Sequence, residues 1–326
     1  MIQTQEYLQE DLQNKSPFVN RFLTKGFVSG KNEWWMYLLG LLFAVVGYSL
    51  YGNLISIPLM NLALNNGYSK NEILKNLNQL FDPTVVGINH SVMLALMMGM
   101  FVFTLLFLWM ALKFIHKKTM LSIITSFKNI RWNRYFFSFF VWTSLTILYT
   151  ALSYILSPQD MTLQFDFNKL IVLLIVLIIF IPIQTGVEEL IFRGYLMQGL
   201  GLAFKNGIAP LIITSILFGS MHASNPEAKA HGLLIMMPYY IFFGAFLGVL
   251  TLLDEGAELA MGIHCANNLV SSLLITSKNS VLHTDAIFNV IEKPMTEFSS
   301  WIVMASICFF ILNKKYTLSN WKLILR

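Results

Sequence analysis

Long apolar runs, with no sustained alternation of polar and apolar positions, dominate this chain, and short connections between them hold most of the charge. A helix that crosses the hydrocarbon layer needs about 20 mostly apolar residues, because its amides must be satisfied internally where water is absent. Eight stretches qualify, near residues 35–57, 90–114, 136–157, 170–188, 208–223, 233–253, 258–276 and 299–313. The fifth is short and carries a histidine; the fourth can continue past residue 188. The pattern predicts an all-α polytopic membrane protein, a bundle of about eight transmembrane helices.

Residues 1–30 have no long apolar core and mix Glu6, Glu10 and Asp11 with Lys15, Arg21 and Lys25, so no removable signal peptide is expected there. They read as a cytoplasmic arm, solvated or, given Phe18, Phe22 and Phe27 beside basic residues, folded as an interfacial amphipathic helix. Trp34, Trp35, Trp301 and Trp321 fall near span ends and read as interfacial anchors. Without an internal repeat or inserted soluble domain, residues 31–315 read as a single transmembrane domain and 316–326 as a cytoplasmic tail.

Composition sharpens this picture. Of 326 residues only 12% are charged, against about 25% in soluble proteins, while 56% are hydrophobic. With 19 Gly, 9 Pro and 2 Cys, collagen-like, disordered and disulfide-scaffold classes are excluded. Cys265 and Cys308 lie in apolar stretches and carry no redox message. A net charge of +5 in a soluble protein would suggest nucleic acid; here the basic residues lie between apolar runs, which points to lipid headgroups and topology. Placing both termini in the cytoplasm puts 16 of the 22 Lys and Arg inside and 6 outside, the expected bias. Lys113, Lys117, Lys118, Lys128, Arg131 and Arg134 weigh most in that count. A multi-pass protein of a bacterial plasma membrane, in contact with the bilayer and without a nucleic-acid partner, is the resulting expectation.

Fifteen of the 17 acidic residues fall in the arm, in connections or at span edges, where solvation is expected. Glu188 and Glu189 instead follow the run 170–183, relieved only by Gln184, Thr185 and Gly186. Ionisable groups at membrane depth are costly, pair with one another, and are functional candidates by default. A structural ion pair is the plainer reading. Glu189 and Arg193, four apart, share a helix face, whereas Glu188 is rotated by about 100° and keeps its carboxylate available. A carboxylate stripped of water accepts a proton more readily, which suits a general base.

Phe218 with His222, and His264 with Asn268, repeat the four-residue spacing in other apolar segments. A lone histidine on an apolar helix is usually structural. Together with Glu188, though, these residues supply a base, a second proton-handling group and hydrogen-bond donors, the inventory for hydrolysing an amide in a polar pocket within the bundle. Asn267, three residues from His264, competes with Asn268 for the donor position. His90, His116, His231 and His283 sit near span ends or in a loop, where water accounts for them.

EELIFR (Glu188 to Arg193), FGSMH (Phe218 to His222) and HCANN (His264 to Asn268) together resemble the CPBP family. It comprises the type II CAAX prenyl proteases and the bacterial Abi proteins linked to bacteriocin processing or immunity. Its pattern is EExxxR, FxxxH and HxxxN in that order, matched over about residues 170–275. The resemblance implies a glutamate-dependent intramembrane endopeptidase whose site is reached from the cytoplasmic side. By motif position Glu188 activates water with His222, His264 and Asn268 stabilise the oxyanion, and Glu189, Arg193 and Phe218 support them. The implied substrate is a membrane-associated or lipidated protein or peptide: a CAAX-type tail, a bacteriocin leader or a signalling peptide.

No metal cofactor is favoured. The alternative, a zinc ion on Glu188, His222 and His264, lacks an HExxH pair and leaves Asn268 without a use. A non-catalytic immunity protein or membrane scaffold that binds a partner is the alternative from another class. One geometric tension remains: Glu188 and His222 lie about 15 residues from the turn near Lys205, but His264 only about 7 from the turn near Glu255, at about 1.5 Å per residue.

Overall fold

In the computed structural model, residues 16 and 18–325 are described; most of the expected arm, residues 1–15 and 17, and residue 326 of the expected tail lie outside them. Every apolar stretch read from the sequence is helical. A short helix α1 (Arg21–Val28) precedes α2 (Trp34–Asn65), α3 (His90–His116), α4 (Trp132–Leu156), α5 (Phe167–Phe204), α6 (Ile208–Met221), α7 (Leu233–Leu253), α8 (Glu258–Leu274) and α9 (Pro294–Tyr316). Six helices among the described residues are long and apolar enough to cross a bilayer. The exceptions, α6 and α8, have 14 and 17 residues; α8 carries Glu258, His264 and the two asparagines and lies inside the bundle.

Helix starts follow from local chemistry. Asp166 accepts from the amides of Asn168 and Lys169 at the start of α5, and Asn89 from Ser91 at the start of α3, which satisfies donors that a first turn leaves unpaired. Asn20 caps α1 and also donates to the carbonyls of Leu252 and Leu323, tying the described N-terminal segment to the end of α7 and to the C-terminal segment. Phe22 and Leu23 are fully buried, so α1 covers protein and is not a free arm.

α8 is the central helix, packed on α4, α5 and α7. Gly262 permits its approach to α4: a Cβ there would stand 2.2 Å from the carbonyl oxygen of Tyr135, and Ser138 of α4 donates to the carbonyl of Leu259. Without a hydrophobic driving force between lipid-embedded helices, such small-residue contacts and interhelical hydrogen bonds hold the bundle together.

At the end away from the termini, three short strands join distant connections. Strands β1 (Met161–Leu163), β2 (Ile275–Thr276) and β3 (Phe288–Val290) form a sheet in the order β1-β3-β2, with Thr162 opposite Asn289 and Ile275 opposite Phe288. Nothing in the hydropathy pattern announces segments this short.

The end that carries the termini corrects three expectations. Asp254, Glu255 and Glu258, taken as solvated span edges, are buried. Arg131 contacts Asp254 at 2.9 Å and Glu258 at 2.5 Å, Arg134 contacts Asp254 at 2.6 Å, and Arg21 contacts Glu255 at 2.5 Å. Arginines from α1 and the start of α4 replace water there, a pairing that no local pattern reveals. His116 is fully buried, between the Tyr195 hydroxyl at 2.7 Å and the carbonyl of Lys31 at 2.9 Å. Trp301, expected at the interface, is buried against Tyr239, Phe243 and Phe246, because α9 starts at Pro294 and places it two turns inside. Trp34, Trp35 and Trp321 are exposed.

Lys118 is buried as well, donating to Asn32 Oδ1 at 2.5 Å, Tyr37 Oη at 3.0 Å and the carbonyl of Gly26 at 3.2 Å. Burial pushes its ammonium down to about 7 from an ordinary 10.5. Between those values the unfolded chain binds the extra proton, so stability rises with pH from about 7 upward. Thermal unfolding in detergent across that window is expected to show this rise, and Lys118→Met to flatten it. Gly262→Val, which overpacks the α4 contact, is expected to cost about 1–3 kcal/mol, read as a lowered unfolding midpoint.

Candidate active site

The last turns of α5 set the site. Gln184 and Glu188 are four residues apart, and Gln184 Nε2 donates to Glu188 Oε1 at 2.5 Å. Glu188 Oε2 is buried, has no hydrogen-bond partner among the described residues, and lies 3.5 Å from His264 Nε2. Glu188 is therefore held by one oxygen and open at the other, whereas its spacing suggested a wholly free carboxylate.

Glu189 points away from Glu188, as helical geometry requires. Its Oε1 accepts from Arg193 Nη1 at 2.9 Å and faces His264 Nδ1 at 2.7 Å. Both Glu189 and Arg193 are essentially without solvent contact. Leu190–Leu196 is π-helical, a widened turn of the kind that recurs at functional sites. Within it Arg193 also donates to the carbonyl of Gly244 on α7 at 3.0 Å. Phe218 of α6 is the plate on which these groups rest: the Arg193 guanidinium lies 4.5 Å from its ring centre, His222 4.8 Å and His264 5.8 Å.

His222 ends α6 with Nδ1 on the carbonyl of Phe218 at 2.8 Å and its ring stacked on Tyr240 at 4.4 Å. A carbonyl only accepts, so Nδ1 carries a proton and, in the neutral ring, Nε2 presents its lone pair. No hydrogen bond joins His222 to Glu188 among the described residues; they meet as walls of one cavity. Asn268 lines that cavity too and donates to Gln184 Oε1 at 3.0 Å. His264 lies behind the wall, between the two carboxylates. Asn267, its rival in the sequence, accepts from Trp142 Nε1 at 3.1 Å.

The cavity holds about 860 Å³. In place of the expected polar pocket it is largely apolar, with Leu41, Val45, Met97, Met98 and Phe101 of α2 and α3 facing a polar patch of Gln184, Glu188, His222 and Asn268. A membrane bundle has few polar side chains to spend on such a wall. Cytoplasmic termini and cytoplasmic access together would put the entrance at the end bearing the termini. The cavity wall instead includes Glu227, His231, Ser277, Ser280 and Glu292 from connections at the opposite end, with Glu297 from the first turn of α9. His231, expected to be simply hydrated, is 2.5 Å from Glu292 in this wall.

His264 has both ring nitrogens turned to carboxylates, and His222 has Nδ1 on a backbone oxygen. Among the described residues no three His, Cys, Asp or Glu side chains are disposed to share a metal. Sequence reasoning passed over Gln184, Trp142 and Tyr240. Of these only Gln184 left a signal, as the lone carboxamide in the apolar stretch 170–188, four residues before Glu188.

Comparison with known proteins gives the same region. A family model described as type II CAAX prenyl endopeptidase, Rce1-like, matches residues 167–270. YyaK of Bacillus subtilis (strain 168), an uncharacterized protein, is 30% identical over 256 residues, 78% of this chain and 82% of that protein. No solved structure matches the chain.

Removing one partner of a buried ion pair strands the other charge. Arg193→Met is expected to destabilise the detergent-solubilised protein by about 3–5 kcal/mol. Adding Glu189→Gln should restore part of the loss, as read from the unfolding midpoints of both variants.

Proposed function

Because the chain belongs to the Rce1-like family of type II CAAX prenyl endopeptidases, we propose that it is an intramembrane endopeptidase that hydrolyses a membrane-associated or lipidated peptide. One observation carries this reading: at the wall of a cavity wide enough for a peptide, Glu188 presents a buried oxygen without a partner, beside the imidazole of His264.

The reaction follows from the groups present. Water in the cavity gives a proton to Glu188 Oε2, assisted by the His222 Nε2 lone pair, and attacks the peptide carbonyl carbon. Charge that develops on the carbonyl oxygen is met by an Asn268 N–H and by His264, which donates from Nε2 when both ring nitrogens carry a proton, Nδ1–H being held by Glu189 Oε1. The carboxyl proton then passes to the leaving amine as the C–N bond breaks, which returns Glu188 to its starting state. The catalytic residues in this reading are Glu188, His222, His264 and Asn268; Glu189, Arg193 and Phe218 hold them. No step is routed through a metal, since the donor set does not converge.

Substrate class is suggested by the wall opposite. Methionine and aliphatic side chains from α2 and α3 adapt to irregular apolar groups, so a lipid chain or a hydrophobic peptide segment fits there.

A quenched peptide spanning a hydrophobic segment, assayed with protein in nanodiscs, tests the proposal. Glu188→Gln is expected to abolish cleavage, and Asn268→Ala to slow it about 10²- to 10³-fold, the usual cost of one oxyanion donor. Full activity in Glu188→Gln would remove the mechanism.

A further inference from the structure

We propose that a directional relay of side-chain hydrogen bonds, anchored at Trp142, aligns Asn268 and Glu188 for the reaction. Trp142, Asn267 and Gln184 thereby become positioning residues; the inference rests on the reading of Glu188 as the base.

The relay runs from α4 through α8 to α5. Trp142 Nε1–H donates to Asn267 Oδ1 at 3.1 Å, Asn267 Nδ2 to Asn268 Oδ1 at 3.1 Å, Asn268 Nδ2 to Gln184 Oε1 at 3.0 Å, and Gln184 Nε2 to Glu188 Oε1 at 2.5 Å. A carboxamide exchanges its oxygen and nitrogen by a half-turn, so its sense is set by its partners. Three carboxamides in series could run either way. The two ends decide, and they agree: an indole N–H only donates and an ionised carboxylate only accepts. Following the chain from either end gives every amide the same orientation.

That orientation has a chemical consequence. Asn268 gives one N–H to Gln184 and receives one from Asn267, leaving its second N–H as the polar group it can turn to the cavity. Reversed, it would offer its oxygen and repel an oxyanion. Glu188, gripped through Oε1, keeps Oε2 for water. Once Oε2 is protonated, Oε1 is a carbonyl oxygen that still only accepts and the indole still only donates, so Asn268 remains a donor until the proton has left. The relay also accounts for the location of Trp142, fully buried on α4, although Trp in membrane proteins favours the interface.

The test is a kinetic cycle on purified protein with a peptide whose cleavage depends on Glu188. Trp142→Phe removes the anchoring donor. Asn267→Asp keeps the acceptor for the indole but cannot donate to Asn268, and being isosteric it leaves the core filled should Trp142→Phe fail to fold. Gln184→Leu cuts the last two links. Each is expected to lower kcat by about 10- to 10²-fold, less than outright loss of an oxyanion donor, with KM within about twofold of wild type. In an Asn268→Ala background, Trp142→Phe or Asn267→Asp is expected to cost less than about twofold more, because residues that act as a unit are not additive. Unchanged kcat in folded Asn267→Asp, or losses that multiply fully in the Asn268→Ala background, would overturn the relay. Either result would leave the dependence on Glu188 in place, and loss of that dependence sinks the hydrolysis reading instead.

Discussion

Two adjacent carboxylates inside an apolar bundle are the constraint from which the site follows. An unpaired ion in that setting is expensive, and consecutive positions on a helix point about 100° apart, so here they reach opposite nitrogens of His264. Glu189 meets the cost at Oε1 with a guanidinium from the next turn and an imidazole from α8; Glu188 has only a carboxamide at Oε1 and lines the cavity. The π-helical turn, the carbonyl of Gly244 and the ring of Phe218 then serve to keep Arg193 where Glu189 needs it. Stability and readiness for chemistry are divided between neighbours one residue apart.

What the sequence made legible follows the same physics. Apolar length predicts every long helix, because hydrophobic thickness leaves little choice of element. Four-residue spacings predict the Glu189–Arg193 pair and bring Phe218 to His222, since both are properties of one helix. Contacts between helices were beyond it. The asparagine that faces the cavity, the indole behind it, the arginines that bury Asp254 and Glu258, and the core position of Trp301 all depend on which helix lies beside which. Gln184 was half visible: its spacing to Glu188 is local, but its bond to Asn268 is not.

The tension in depth between the motifs resolves through α5. At 38 residues it spans roughly 57 Å at the usual rise, well beyond the hydrocarbon thickness. Glu188 and His264 meet within 3.5 Å although their nearest turns are unequally distant along the chain. The surplus length of α5 packs with α1, where Gln198 donates to the carbonyls of Phe22 and Ser122. The amphipathic segment at the N-terminal side is thereby part of the scaffold that holds the reacting helix.

The little sheet β1-β3-β2 separates two tasks that many enzymes entangle. In the proposed reading the chemistry belongs to α5, α6 and α8, whereas one rim of the cavity is built from connections pinned by the eight strand residues and by Glu292. Changes of length or sequence around 277–287 can reshape admission while the helices, and the charges they carry, stay put. A lineage could in this way trade one client for another by redrafting a doorway and leaving the workshop untouched.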